Sequence, residues 1–177
     1  GLFSRVRPIP MSSLRTVRGA PVFSQFGQDK LLALCREQVP EVTSVYAEYM
    51  HLIEVSDSLS ESEEAILYRL LEYGPRIPLG AWVGSRFVVI PRPGTQSPWS
   101  SKATDIARNC GLGKVRRMER GAVFFVADKH GLPLPYERLE RLKPVLHDRM
   151  TQVVVLKIEH GVALFAEHTP RPLVTVD

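Results

Sequence analysis

The chain has 177 residues, 44% of them hydrophobic, enough to bury a core and to form one domain with extensions. Its formal charge of +4 sits at the start: Arg5, Arg7, Arg15 and Arg18 lie in the first 18 residues without an acid, and the rest is balanced. That excludes the basic footprint of a nucleic-acid binder, and no apolar run approaches the roughly 20 residues that cross a bilayer. The two cysteines, Cys35 and Cys110, stand far apart outside any CxxC spacing, which argues against a zinc site or a disulfide framework and for buried free thiols.

The opening GLFSRVRPIPMSSLRTVRG is rich in Arg and Ser, but its prolines spoil an amphipathic targeting helix. Residues 1–17 are therefore expected to be a disordered basic extension or an expression remnant. A strand is expected near Arg18–Phe23. The segment QDKLLALCREQ from Gln28 places Leu31, Leu32, Cys35 and Val39 on one helical face, and Pro40 ends it. TSVYAEYMHLIEV is β-branched and aromatic and predicts a strand. Ser60 and Glu63 form a capping-box pair opening a helix with Ile66, Leu67, Leu70 and Leu71 inward, stopping at Tyr73-Gly74-Pro75.

Arg86–Ile90 predicts a short buried strand, followed by the loop and helix of PRPGTQSPWSSKATDIARNCG. Ala103, Ile106, Ala107 and Cys110 fall at i, i+3, i+4 and i+7, an inward stripe closed by Gly111. KVRRME and AVFFVA, joined through Glu119-Arg120-Gly121, are expected to form a hairpin. A helix from about Pro135 to Met150 presents Leu139, Leu142, Leu146 and Met150, with Pro144 predicting a kink or restart. TQVVVLKI is the last strand.

From Arg86 the expected order is β-α-β-β-α-β, and the upstream half reads as a degenerate copy. The fold class is α+β, with helices packed on a mainly antiparallel sheet, as βαββαβ-type units fused into a pseudo-dimer.

The strand-loop-helix outline around Gly94 and Lys102 resembles a phosphate cradle, which works by aiming backbone N–H groups at an anion. Pro91, Pro93 and Pro98 remove three such donors, Ser101 stands where glycine precedes the lysine, and Trp99 adds bulk. Ser97-Pro98 instead marks an N-cap followed by Pro at the first helical position. A single anion, such as a partner's carboxylate, can still meet that helix start. The five histidines show no HExxH or comparable spacing, no GxSxG elbow is present, and Glu61, Glu63 and Glu64 read as a solvated helix start. His147-Asp148 reads as a surface pair near a helix end, with general-base chemistry as the minor reading. The residues themselves carry no catalytic constellation.

The string VIPRPGTQSPWSSKATDIARNCGL, followed by VRRMERG, resembles the N-terminal domain of the large single-chain phosphoribosylformylglycinamidine synthase, or formylglycinamide ribonucleotide amidotransferase. RGAPVFSQFGQDKLLAL, VYAEYMHLIEV, LLEYGP and LHDRM extend the resemblance over Arg18–Asp177. It implies an enzyme of purine biosynthesis that converts formylglycinamide ribonucleotide, ATP and glutamine into formylglycinamidine ribonucleotide, ADP, phosphate and glutamate. It also implies a glutaminase domain and a synthetase region elsewhere in the same polypeptide, the latter holding ATP and magnesium. The present chain is then an inactive N-terminal fragment in the cytoplasm, with no cofactor, catalytic residue, membrane or nucleic acid of its own. Its domain is expected over 18–158, with 159–177 opening the linker to the synthetase region. The family's N-terminal domain is similar to a dimer of the small accessory subunit of multi-subunit versions. Its implied role is to dock the glutaminase and help shape the ammonia route. Arg92, Thr95, Ser97, Trp99, Ser100, Lys102 and Asp105 are the expected interface residues. The alternative is a free-standing nucleotide- or amino-acid-binding regulatory module.

Overall fold

The computed structural model describes residues 13–72 and 83–167. Strands and helices alternate: β1 (Leu14–Pro21), α1 (Gln25–Gln38), β2 (Ser44–Val55), α2 (Glu61–Leu71), β3 (Ser85–Pro91), α3 (Pro98–Asn109), β4 (Val115–Ala127), α4 (Tyr136–Leu146), β5 (Gln152–Val155) and α5 (Ile158–Glu167). The sheet order is β1-β2-β4-β3-β5 and every neighbouring pair is antiparallel. This is the α+β class expected, with helices packed on an antiparallel sheet.

Strand periodicity divides the core. Val45, Ala47, Ile53 and Val55 of β2 face the helices, whereas Met50 and Leu52 face the other way. On the helix face, Leu31 and Cys35 of α1 meet Leu139, Leu142 and Leu146 of α4 over Phe87, Phe124 and Val126. Leu67 and Leu71 of α2 meet Ala107 of α3 over Val17, Ile53 and Met118. The central pair β2–β4, flanked by β1 and β3, relates β1-α1-β2-α2 to β3-α3-β4-α4 by an approximate two-fold. The doubling read from the sequence is thus visible in the topology. On the opposite face Val162 and Phe165 of α5 pack onto Leu52, Val88, Ile90 and Phe125.

Several local expectations hold in detail. Ser60 and Glu63 make both bonds of the capping box, Ser97 caps α3 with Pro98 at its first position, and α1 ends before Pro40. Ser24 caps α1, which therefore starts three residues earlier than the periodicity indicated. Leu14–Pro21 forms the first strand, so residues 14–17 of the expected extension belong to the sheet. The expected α2 stop at residues 73–75 lies outside the described residues, and residues 159–167 of the expected linker are helical.

Other expectations are corrected. The predicted hairpin is a single strand, β4, paired with β2 from Val115 to Ala127. The run from β3 onward is therefore β-α-β-α-β. Gly121 does not make a turn, having no positive φ; it leaves room for β3, because a Cβ there would stand 2.6 Å from the Val89 carbonyl oxygen. Gly121→Ala is expected to push β3 from β4 and cost about 1–3 kcal/mol, read as a lower urea midpoint; an unchanged midpoint would refute the close approach.

The inward face of α3 is also different. Ser100, Thr104 and Ala107 are buried, while Ile106 and Cys110 are exposed. The cause is polar: α3 lies against the half of β4 that β3 leaves unpaired, and its hydroxyls bond to that strand. Cys110 is consequently not a buried thiol. Met150 is 78% exposed because α4 ends at Leu146, two residues past Pro144, so the apolar spacing no longer describes a helix there.

Candidate functional site

The loop between β3 and α3 is a tight turn anchored at both ends. The Thr95 N–H donates to the Arg92 carbonyl at 3.2 Å, with Pro93 and a Gly94 of φ +84° between them. Pro followed by a positive-φ glycine is the requirement of a type II turn. Gly94 is there for backbone conformation, not for phosphate. The Thr95 hydroxyl also donates to that carbonyl, at 2.6 Å. Arg92 donates its backbone N–H to Thr151 and its guanidinium to the Arg149 carbonyl at 2.9 and 2.7 Å, tying the loop to the entry of β5.

At the start of α3 the anion is the protein's own. The Ser97 hydroxyl donates to Glu119 at 2.6 Å and accepts from the Ser100 N–H at 3.1 Å. The Ser97 N–H reaches the same carboxylate at 3.3 Å, and the Arg120 N–H at 2.9 Å. A carboxylate beside a helix N-terminus is favoured by the dipole. Glu119 thus fills the place that an external phosphate or partner carboxylate would take. One turn on, the Ser100 hydroxyl donates to the Met118 carbonyl. The Met118 N–H in turn donates to the Thr104 hydroxyl at 3.1 Å. Ser and Thr at i and i+4 so replace a strand partner for β4, which satisfies backbone groups that burial would otherwise strand.

The seven expected interface residues therefore separate. Thr95, Ser97 and Ser100 spend their polar groups on the turn, the cap and β4. Arg92 is exposed but tethered, while Lys102 and Asp105 are exposed on α3. Trp99 is half-buried and connects this helix to an open cleft.

The cleft, of about 480 Å³, lies over the middle of the sheet, lined by Phe23, Tyr49, Trp99, Arg120, Phe124 and Leu146 among others. The Arg120 guanidinium lies 4.3 Å from the Tyr49 ring centroid and 5.0 Å from that of Trp99, and such ring faces attract a cation. Beneath, Trp99 stacks on His51 with centroids 5.6 Å apart. His51 is fully buried, and its Nδ1 lies 3.1 Å from the Val17 carbonyl, which can only accept, so Nδ1 carries the proton. Burial lowers the His51 pKa to about 4, helped by the charge of Arg120 and opposed by the Val17 carbonyl. His51 is neutral at ordinary pH.

Tyr49, His51, Glu119 and Arg120 were not singled out in the sequence. The two charged residues hid in the expected hairpin turn, and His51 in a strand whose alternation alone could have marked it as inward. On the opposite face Glu48 takes two bonds of 2.6 Å from Arg18 and one of 2.8 Å from Tyr46, whose pKa burial and Glu48 raise to about 12. Cys35 is buried and its thiol pushed up to about 11, an unreactive state. His147 bonds through Nδ1 to the Lys143 carbonyl at the end of α4, as a structural contact. Among the described residues no three His, Cys, Asp or Glu gather to hold a metal ion.

The formylglycinamide ribonucleotide amidotransferase N-terminal family matches residues 48–165. The chain belongs to that family. The match runs from β2 into α5 and contains the signature loop, Glu119 and the Trp99–Arg120 stack. Formylglycinamide ribonucleotide amidotransferase is the phosphoribosylformylglycinamidine synthase of purine biosynthesis, and this chain carries its N-terminal domain. The amidotransferase as a whole is an ATP-dependent, multi-domain enzyme, so the domain's neighbours are regions of the same polypeptide. No helix among the described residues is long and apolar enough to cross a membrane.

Proposed function

We propose that this domain docks the glutaminase of the amidotransferase against the synthetase core and helps shape the ammonia route, without performing chemistry itself. ATP, magnesium and ribonucleotide then bind in the synthetase region, the glutaminase releases ammonia, and the enzyme works in the cytoplasm. The observation that carries this reading is the signature segment: its polar groups are spent on the domain itself, producing a stiff rim beside an open aromatic cleft. Such a surface is preorganised to meet another domain at little ordering cost. The test compares the intact amidotransferase with one lacking residues 18–158. Glutamine-dependent synthesis is expected to collapse while the ammonia-dependent rate survives. Retained glutamine coupling would refute the docking role.

The Trp99–Arg120–Tyr49 stack favours one other reading, a module that binds a nucleotide or amino acid. Calorimetry with ATP, glutamine and formylglycinamide ribonucleotide separates the two: micromolar binding by this chain supports the module, and its absence supports the scaffold.

A further inference from the structure

We propose that the groove between α2 and α3 takes the apolar face of a helix from another region of the amidotransferase, and that an acidic side chain bordering that face pairs with Lys102. This rests on the docking reading above and names the surface and the chemistry of its partner.

The groove follows from the way α3 meets the sheet. Ser100 and Thr104 spend their hydroxyls on β4, so Trp99, Ala103, Ile106 and Cys110, at i, i+4, i+7 and i+11, form a separate apolar stripe about a quarter turn away. Trp99 and Ala103 rest on the core only in part, and Ile106 is 49% exposed. Leu70 and Leu71 of α2 form the facing wall and Met118 the floor. The other half of the domain shows that this opening is not a demand of the fold. There α1 and α4, which the approximate two-fold relates to α3 and α2, pack directly on each other through Leu31, Cys35, Leu139 and Leu142. Their counterparts leave about 210 Å³ between them.

Volume and lining decide the class of occupant. A small-molecule site takes roughly 300–1,000 Å³ and a few convergent polar groups. This groove is smaller, and Lys102 is the single charged residue in its lining, among Leu, Ala, Ile, Met and Trp side chains. A trough between two helices is filled instead by side chains that a third helix presents at i, i+3 and i+4. Trp99, Ile106 and Leu70 supply the apolar anchorage. Lys102 has no hydrogen bond or ion pair among the described residues, Asp105 one turn further on included. A cation held at the border of an apolar groove is complementary to an acid beside an apolar stripe. Being exposed, that pair sets register and orientation more than strength.

The test places a benzophenone photo-crosslinking amino acid at Ile106 in the full-length amidotransferase. The captured peptide is expected from outside residues 1–177 of the same chain, with apolar residues at helical spacing and an Asp or Glu within one turn of them. Lys102→Glu should lower the crosslinking yield about fivefold, because it turns an exposed attraction into a repulsion. Changing the captured acid to lysine in the Lys102→Glu protein should restore the yield. An absence of crosslinks, crosslinks confined to residues 1–177, crosslinks to a second copy, a captured segment without the apolar spacing or the acid, an unchanged yield in Lys102→Glu, or no recovery on charge exchange would each overturn the proposal. Failure here with glutamine coupling still dependent on the domain removes only this occupant. Coupling that survives deletion of residues 18–158 removes the docking reading itself.

Discussion

Replacing Arg117 by methionine is expected to cost about 3–5 kcal/mol, the consequence of breaking a buried ion group from one side. Arg117 stands on β4 facing α5, only 8% exposed. Its Nε lies 3.5 Å from Glu54, its Nη2 donates to the Phe165 carbonyl at 2.7 Å, and its guanidinium lies 3.7 Å from the Phe165 ring centroid. Burial lowers the Arg117 pKa, while Glu54 and Glu119 hold the charge in place. Without the cation, buried Glu54 and Glu119 lose a favourable positive charge and a carbonyl of α5 loses its donor. At about 2–4 °C per kcal/mol for a chain of this size, the melting temperature should fall by roughly 10 °C. Hydrogen exchange should show α5 losing protection first. Adding Glu54→Met to Arg117→Met should recover a large part, since a buried pair replaced by apolar groups of similar volume is often tolerated. A loss no larger than the 0–1 kcal/mol or so of an exposed pair would show that this cluster is solvated.

Arg117 also shows where sequence reading stops. Local chemistry was legible wherever a few neighbouring residues decide the outcome: Ser60-Glu63, Ser97-Pro98 and the alternation of β2. The charges were not, because Arg117, Glu119 and Arg120 take their roles from Phe165, Ser97, Tyr49 and Trp99, which only the folded sheet brings near. Gly121 was misread for a related reason. In a strand a glycine signals either a turn or a close approach by another backbone, and the approaching strand, β3, lies thirty residues upstream. The apolar stripe of α3 misled in the same way: Ser100 and Thr104 turn inward because β4 offers unpaired backbone, a requirement that hydrophobic spacing cannot express. The signature string was legible as a family mark, yet most of its polar residues maintain the loop and cap. What it leaves open to a partner is the outer side of α3, with Lys102 and Ile106.

Acid sensitivity is the second large effect, and its source is His51. The histidine is buried neutral with a pKa of about 4, against about 6.5 in an unfolded chain. Between these values the unfolded state binds the proton and the folded state does not, so stability rises with pH. The contribution is fully present above about pH 6.5, declines as pH falls through the window, and stops changing below about pH 4, where both states are protonated. At pH 5 this linkage removes about 2 kcal/mol relative to neutral pH. Glu63, whose pKa Lys114 and Ser60 lower to about 2, destabilises only at lower pH, as it protonates below the ordinary carboxylate range. The comparison of pH 7.5 with pH 5 therefore favours His51. In His51→Phe, which keeps a ring under Trp99, the urea midpoint should depend much less on pH over that interval. Trp99→Ala should have a related effect by a different route: water admitted to the imidazole raises its pKa toward 6.5, visible in the ring's NMR titration. If His51→Phe kept the full pH dependence, the buried histidine would not be its source, and the stack beneath Arg120 would have to be open to water already.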